Sequence, residues 1–130
     1  MILLDTDAIS YVIRGFEPYL SEFRNLEPGD WGISSLVAYE LGFGIRLKQT
    51  QVNPVVEEFL KNAQTYSFDN AAAQIAADLA AQLSKAGKTI DRGDLMIAAH
   101  AISLDAVLVS NNVKHFNRVP GLNLVTWSSQ

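Results

Sequence analysis

The chain has 130 residues, 48% of them apolar, no cysteine and a formal net charge of −4. That length suits a single domain, 1–130, with a sizeable core, and the missing thiols exclude disulfides, cysteine nucleophiles and thiolate metal sites. No apolar run nears the roughly 20 residues of a membrane span, and the N-terminus lacks the basic stretch and cleavage site of a secretory signal, so a reducing cytoplasm is the expected setting.

The chain opens on Met1-Ile2-Leu3-Leu4-Asp5-Thr6-Asp7. The unbroken apolar run Ile2–Leu4 fits a strand buried on both faces of a parallel sheet. Asp5 then stands at its carboxyl end, the edge where open α/β sheets bind ligands. A carboxylate there needs a metal, hydrogen bonds or a helix N-terminus to stay ionised. Asp5 or Asp7 can instead cap the next helix, expected over residues 8–14 before Gly15.

A short helix is expected over 18–25, a turn at Glu27-Pro28-Gly29-Asp30 and a strand over 31–33. Ser34 or Ser35 caps a helix running to about Gln49, and Asn53-Pro54 opens another to about Asn62. Residues 66–68 read as a third strand. Asn70 starts an alanine-rich helix with Ile75, Leu79 and Leu83 on one face and Gly87 beyond its end. After a polar connection, residues 95–102 are apolar nearly all round, which predicts a buried helix. Residues 106–109 form a buried strand, 111–116 a short polar turn or helix, and 122–126 a last strand. Five strands separated by helices imply a mainly parallel sheet covered on both faces.

Carboxylates recur where a core is expected. Leu36, Glu40, Phe43 and Leu47 fall on one helical face, which sets Glu40 inside an apolar stripe. Such a carboxylate binds metal or takes part in catalysis, turns to the rim, or pairs with a buried Arg. Asp91-Arg92-Gly93-Asp94 resembles a capping box, with Asp91 as the cap and Asp94 at the edge of the core. Ser110-Asn111-Asn112 follows another buried strand, where its neutral oxygens bind a metal-bound water or a phosphate, or simply form a turn. The candidate acids make a hard oxygen-ligand set suited to Mg²⁺ or Mn²⁺.

Neither histidine has metal-motif spacing: His100 reads as a core residue and His115 as exposed beside Phe116. Trp31 and Trp127 read as packing residues. Of fourteen acids, setting aside Asp5, Asp7, Glu40, Asp91 and Asp94 as one pocket leaves nine against ten Lys and Arg, a nearly neutral remaining surface. The acidic total therefore does not exclude a phosphodiester substrate.

Taken together, Leu3-Leu4-Asp5-Thr6-Asp7, Ile33-Ser34-Ser35 with Glu40 on the next helix, the segment from Asp94-Leu95-Met96 through His100-Ala101, and Leu108-Val109-Ser110-Asn111-Asn112-Val113-Lys114-His115-Phe116 resemble the PIN domain. In particular the chain resembles the VapC toxins of type II toxin–antitoxin systems. The resemblance implies a three-layer α/β/α sandwich with a five-stranded parallel sheet. It implies Mg²⁺- or Mn²⁺-dependent endoribonuclease activity on tRNA or ribosomal RNA, by metal-assisted phosphodiester hydrolysis. Asp5 and Asp94 would be metal ligands, with Glu40 a ligand or the group orienting the attacking water. Asn112 and Ser110 would hold a second cation or its waters.

Two positions depart from the family pattern, which usually has Asn where Asp7 stands and often a fourth Asp where Asn112 stands. Arg14, Arg46, Lys88 and Arg92 flank the acidic segments and are candidates for contacts to the RNA backbone. A homodimer, a VapB-type antitoxin, a higher assembly with it and no membrane partner are the expected associations. Rival readings are a haloacid-dehalogenase-like phosphatase, with Asp5 as nucleophile and Asp7 as acid/base, and a non-catalytic PIN-like interaction module. Against the phosphatase, Gly93-Asp94 has Ala98 rather than Asp four residues on.

Overall fold

The computed structural model describes residues 1–128. Its centre is strand β1 (Ile2–Leu4), whose Leu3 and Leu4 are each 1% exposed, because sheet neighbours and helices enclose the strand on every side. β1 pairs in parallel with β2 (Trp31–Ser34) on one flank and β4 (Val107–Val109) on the other. Beyond them lie β3 (Thr65–Tyr66) and β5 (Leu124–Val125), giving a five-stranded parallel sheet in the order β3-β2-β1-β4-β5.

Gly32, opposite Leu3, is required by this geometry. A Cβ there would lie 2.5 Å from Tyr66 Cε2 and 2.9 Å from the Gln64 carbonyl oxygen.

The chain leaves β1 through α1 (Thr6–Ile13) and α2 (Tyr19–Arg24), and leaves β2 through α3 (Ser35–Leu47) and α4 (Asn53–Asn62). It returns from β3 through α5 (Asn70–Lys85) and α6 (Arg92–Ser103), and α7 (Val113–Phe116) joins β4 to β5. Parallel crossovers are right-handed, so the reversal of direction after β3 puts α1–α4 on one face and α5–α7 on the other. The packing agrees: α1 touches α2 and α3, and α3 touches α4, whereas α6 touches α5 and α7; α3 and α6 also meet. This is the expected α/β/α sandwich, and its strand order reverses around β1. The crevice between the carboxyl ends of β1 and β4 is therefore the switch point where such sheets bind ligands.

Several expected boundaries and faces shift. β3 ends at Tyr66, and the Phe68 N–H donates instead to Ser35 Oγ at 2.9 Å. α1 begins at Thr6 with Asp5, not Asp7, as its cap. In α5, Ala72 and Ala76 join Leu79 and Leu83 on the buried face, and Ile75 is only half-buried.

The largest difference lies in α3. Its core side is Val37 and Leu41, so the face expected to be buried points outward, with Phe43 53% and Leu47 68% exposed. Trp31 packs on Phe23 and Phe59, and Trp127 on Tyr19, as packing residues should. Among the described residues, no helix is long and apolar enough to cross a membrane.

Candidate active site at the carboxyl edge of the sheet

Asp5, immediately past β1, is 5% exposed. Its backbone N–H donates to the Val109 carbonyl at 3.2 Å, tying it to β4. Its Oδ1 accepts the Ala8 N–H at 2.8 Å as the cap of α1. Burial raises its pKa to about 7, against the lowering effect of the Ser110 hydroxyl and the Ala8 N–H; the nearby Asp7 and Asp94 charges raise it further.

Glu40 reaches the same place from α3. It sits on the exposed rim rather than within a buried stripe, and its Oε1 accepts from Thr6 Oγ1 at 2.9 Å. Its pKa is also raised, first by desolvation of the carboxylate and then by Asp94, Asp7 and Asp91.

Asp94 lies in the first turn of α6, where the helix N-terminus favours a negative charge. Its Oδ2 faces Asn112 Nδ2 at 3.2 Å and His115 Nδ1 at 3.3 Å. Desolvation raises its pKa, partly countered by the His115 hydrogen bond.

Asp5, Thr6, Asp7, Glu40, Asp94 and Ile97 line one cavity of about 130 Å³. Segments up to ninety residues apart in sequence thus meet at the crevice beside β1. Asp91 is absent from the lining: its Oδ2 caps α6, accepting from the Gly93 N–H at 3.0 Å and the Asp94 N–H at 3.4 Å. The expected five-acid pocket therefore holds four.

Ser110 and Asn112 act mainly on their neighbours. The buried Ser110 hydroxyl supports Asp5 and accepts the Asn112 N–H at 2.9 Å, while Asn112 holds Asp94. The four basic candidates lie outside the cavity lining. Arg46 Nη1 donates to the Gly42 carbonyl, Lys88 is exposed beyond α5, and Arg92 borders a different cavity with Leu83 and Leu95. Arg14 hydrogen-bonds Ser10 Oγ and lies over the Phe16 ring at 5.5 Å.

Two contributors escape the sequence reading. Thr6, between the first two acids, orients Glu40; His115 turns toward Asp94 instead of standing apart. The signal for His115 was its place three residues after Asn112, which puts both on one side of α7. His100 is buried as expected: its Nδ1 meets Ser34 Oγ at 2.8 Å, joining β2 to α6. Burial lowers its pKa, and its Nε2 has no hydrogen-bond partner among the described residues.

The donor set is all carboxylate oxygen, which suits a hard dication. Among the described residues no three acids or histidines already converge as a ready-made ligand cluster, since each carboxylate is turned to its own hydrogen-bond partner. A divalent cation that keeps much of its water shell suits such a lining.

Comparison with known proteins agrees with this architecture. The PIN domain family matches residues 2–122. The tRNA(fMet)-specific endonuclease VapC of Shigella flexneri is 33% identical over 128 residues, covering 97% of both chains. Ribonuclease VapC2 of Rickettsia felis is 34% identical over 131 residues, covering 96% of both. Among solved structures, VapBC2 of Rickettsia felis bound to a promoter DNA fragment superposes with a TM-score of 0.89 at 32% identity, covering 98% of this chain and 100% of that one. DNA-bound VapBC of Salmonella typhimurium gives 0.87 at 30% identity, with 98% of each chain covered. Family match, near-full-length relatives and shared topology together place this chain in the PIN-domain family, among the VapC ribonucleases.

Proposed function

We propose that this chain, acting as one domain, is the toxin of a type II toxin–antitoxin pair and cleaves RNA internally with Mg²⁺ or Mn²⁺. The observation that carries this reading is the meeting of Asp5, Glu40 and Asp94 in one small cavity at the switch point of the sheet. Asp5 and Asp94 would hold the cation, Asn112 and His115 fix the Asp94 carboxylate, and Thr6 aims Glu40 toward the attacking water. A bound divalent cation supplies polarisation of the scissile phosphate and a water of lowered pKa. Asp7 adds charge at the mouth of the cavity.

The relative from Shigella flexneri is named for a tRNA, so a tRNA is the substrate to try first. The solved neighbours are VapBC complexes, so a VapB-type antitoxin is the partner to expect. An apolar groove of about 440 Å³, lined by Val12, Ile13, Leu20, Phe23 and Val55, fits the apolar face of such a partner's helix. The phosphatase reading loses its second acid, because Ala98 is wholly buried in the core.

Asp94→Asn and Glu40→Gln should each lower Mg²⁺-dependent tRNA cleavage by about 100-fold or more while leaving the far-UV circular dichroism of the wild type. Mg²⁺ should also raise the Tm of the wild type and not that of Asp94→Asn. Equal cleavage by all three proteins rejects the assignment, and an inactive wild type leaves the interaction-module reading in its place.

A further inference from the structure

We propose that a second pocket beside the acids is a nucleobase subsite, which stacks the base of a nucleotide flanking the cleaved phosphate; its role rests on the endoribonuclease reading. This pocket, about 250 Å³, lies between the end of α1, the segment after it and the β4–α7 turn. It is walled by Tyr11, Phe16 and Tyr19 and edged by Glu17, Asn111 and Ser128. That volume is below the roughly 300–1,000 Å³ of drug-sized sites and suits one planar ring system.

Its position follows from the chain. Asn111 stands between Ser110, which supports Asp5, and Asn112, which holds Asp94. Tyr11 is one helical turn beyond Asp7, and Asn111 Nδ2 faces its hydroxyl at 3.5 Å. The pocket thus adjoins the acidic cavity through α1 and the β4–α7 turn.

The lining suits an unpaired base. Phe16 is 46% exposed, a large open ring in a chain whose other aromatics near this pocket are largely covered. It continues an aromatic array inward, with Tyr11 5.7 Å from Phe16, Tyr19 5.0 Å from Tyr11, and Trp127 5.8 Å from Tyr19. The array backs the Phe16 ring from within and the Arg14 guanidinium lies 5.5 Å from its centroid, so a base stacks on the part of the ring these leave open. At the rim, Asn111 Oδ1 accepts from Ser128 Oγ and its Nδ2 faces Tyr11, while Glu17 Oε2 accepts from Ser21, so a base edge would use the hydrogen-bonding capacity these contacts leave; the Arg14 guanidinium beside Phe16 offers a cation to the adjoining phosphate. An apolar ligand would waste these groups, and a bare phosphate would not use the ring.

The test is fluorescence of a short single-stranded oligoribonucleotide containing 2-aminopurine, titrated with whole protein in EDTA so that no cleavage intervenes. Wild type should quench the probe. Phe16→Ala should bind about tenfold more weakly with little quenching, as expected for the loss of one stacked base, and Phe16→Tyr should restore both. In Mg²⁺, Phe16→Ala should raise the KM for tRNA more than it lowers kcat.

Quenching by Phe16→Ala equal to that of the wild type, or no quenching by the wild type, overturns the subsite and leaves the cleavage reading intact. Asp94→Asn should quench normally without cleaving. A wild type that quenches and cleaves no RNA removes the nuclease reading and with it the subsite's role.

Discussion

Asp5 caps α1 with its Oδ1 while it lies almost fully buried near two other carboxylates. Its folded pKa of about 7 stands above the ordinary value of 3.8, so between those values the folded state binds more protons than the unfolded chain. Stability without metal must therefore fall as pH rises from about 4 to 7, and the full penalty persists above that, with an upper limit of about 4 kcal/mol. Asp5→Asn keeps the capping oxygen and removes the charge. Its Tm in EDTA should exceed that of the wild type by an amount that grows from pH 5 to pH 8; a difference that stays flat across that range would contradict the burial argument. Asp5 was legible in the sequence because an apolar strand running into a charge is a local pattern. His115 carried only the weaker cue of its place three residues after Asn112, since its contact with Asp94 depends on α7 folding back across the end of β4.

Between elements, the glycine with least room for a side chain is Gly32 of β2, under Tyr66 of β3. Gly32→Ala forces the β2–β3 edge apart, and a loss of about 1–3 kcal/mol in urea unfolding is expected, the usual cost of overpacking. A neutral result would mean that β3 moves freely. Helix α3 shows where periodicity stops informing. Its sequence offers two apolar arcs, one through Val37 and Leu41 and one through Leu36, Phe43 and Leu47. Spacing alone does not choose between them. The choice is made by the rotation of the helix as it leaves β2 through the Ser34 cap, whose hydroxyl receives the Leu36 N–H and also meets His100 on α6. That rotation carries Glu40 to the rim of the cavity. By contrast α6 is apolar on nearly all sides, so its burial was readable whatever its rotation.

At the scale of the whole molecule, we propose that the outward arc of α3 is the face on which the expected homodimer pairs. Tyr39 and Phe43 stack with centroids 6.2 Å apart, and Leu47 extends the stripe. The sequence is nearly symmetric about Phe43: Tyr39 mirrors Leu47, Glu40 mirrors Arg46 with opposite charge, and Gly42 mirrors Gly44. Two antiparallel copies related by a two-fold axis at Phe43 would lay each Tyr39 against the other copy's Leu47, the self-complementarity an isologous contact needs, and would leave Glu40 with Thr6 in its cavity. Phe43→Asp should convert a dimer into a monomer in light scattering while leaving the circular dichroism unchanged; an unaltered mass would move the interface elsewhere.

The strand order bears on how the protein is made. β1 is synthesised first, yet one of its two flanking neighbours is β4, which emerges more than a hundred residues later. Until residues 107–110 have been made, the Asp5 N–H lacks the Val109 carbonyl and its carboxylate lacks the support of Ser110. The acidic crevice is thus completed only once the final third of the domain has been built.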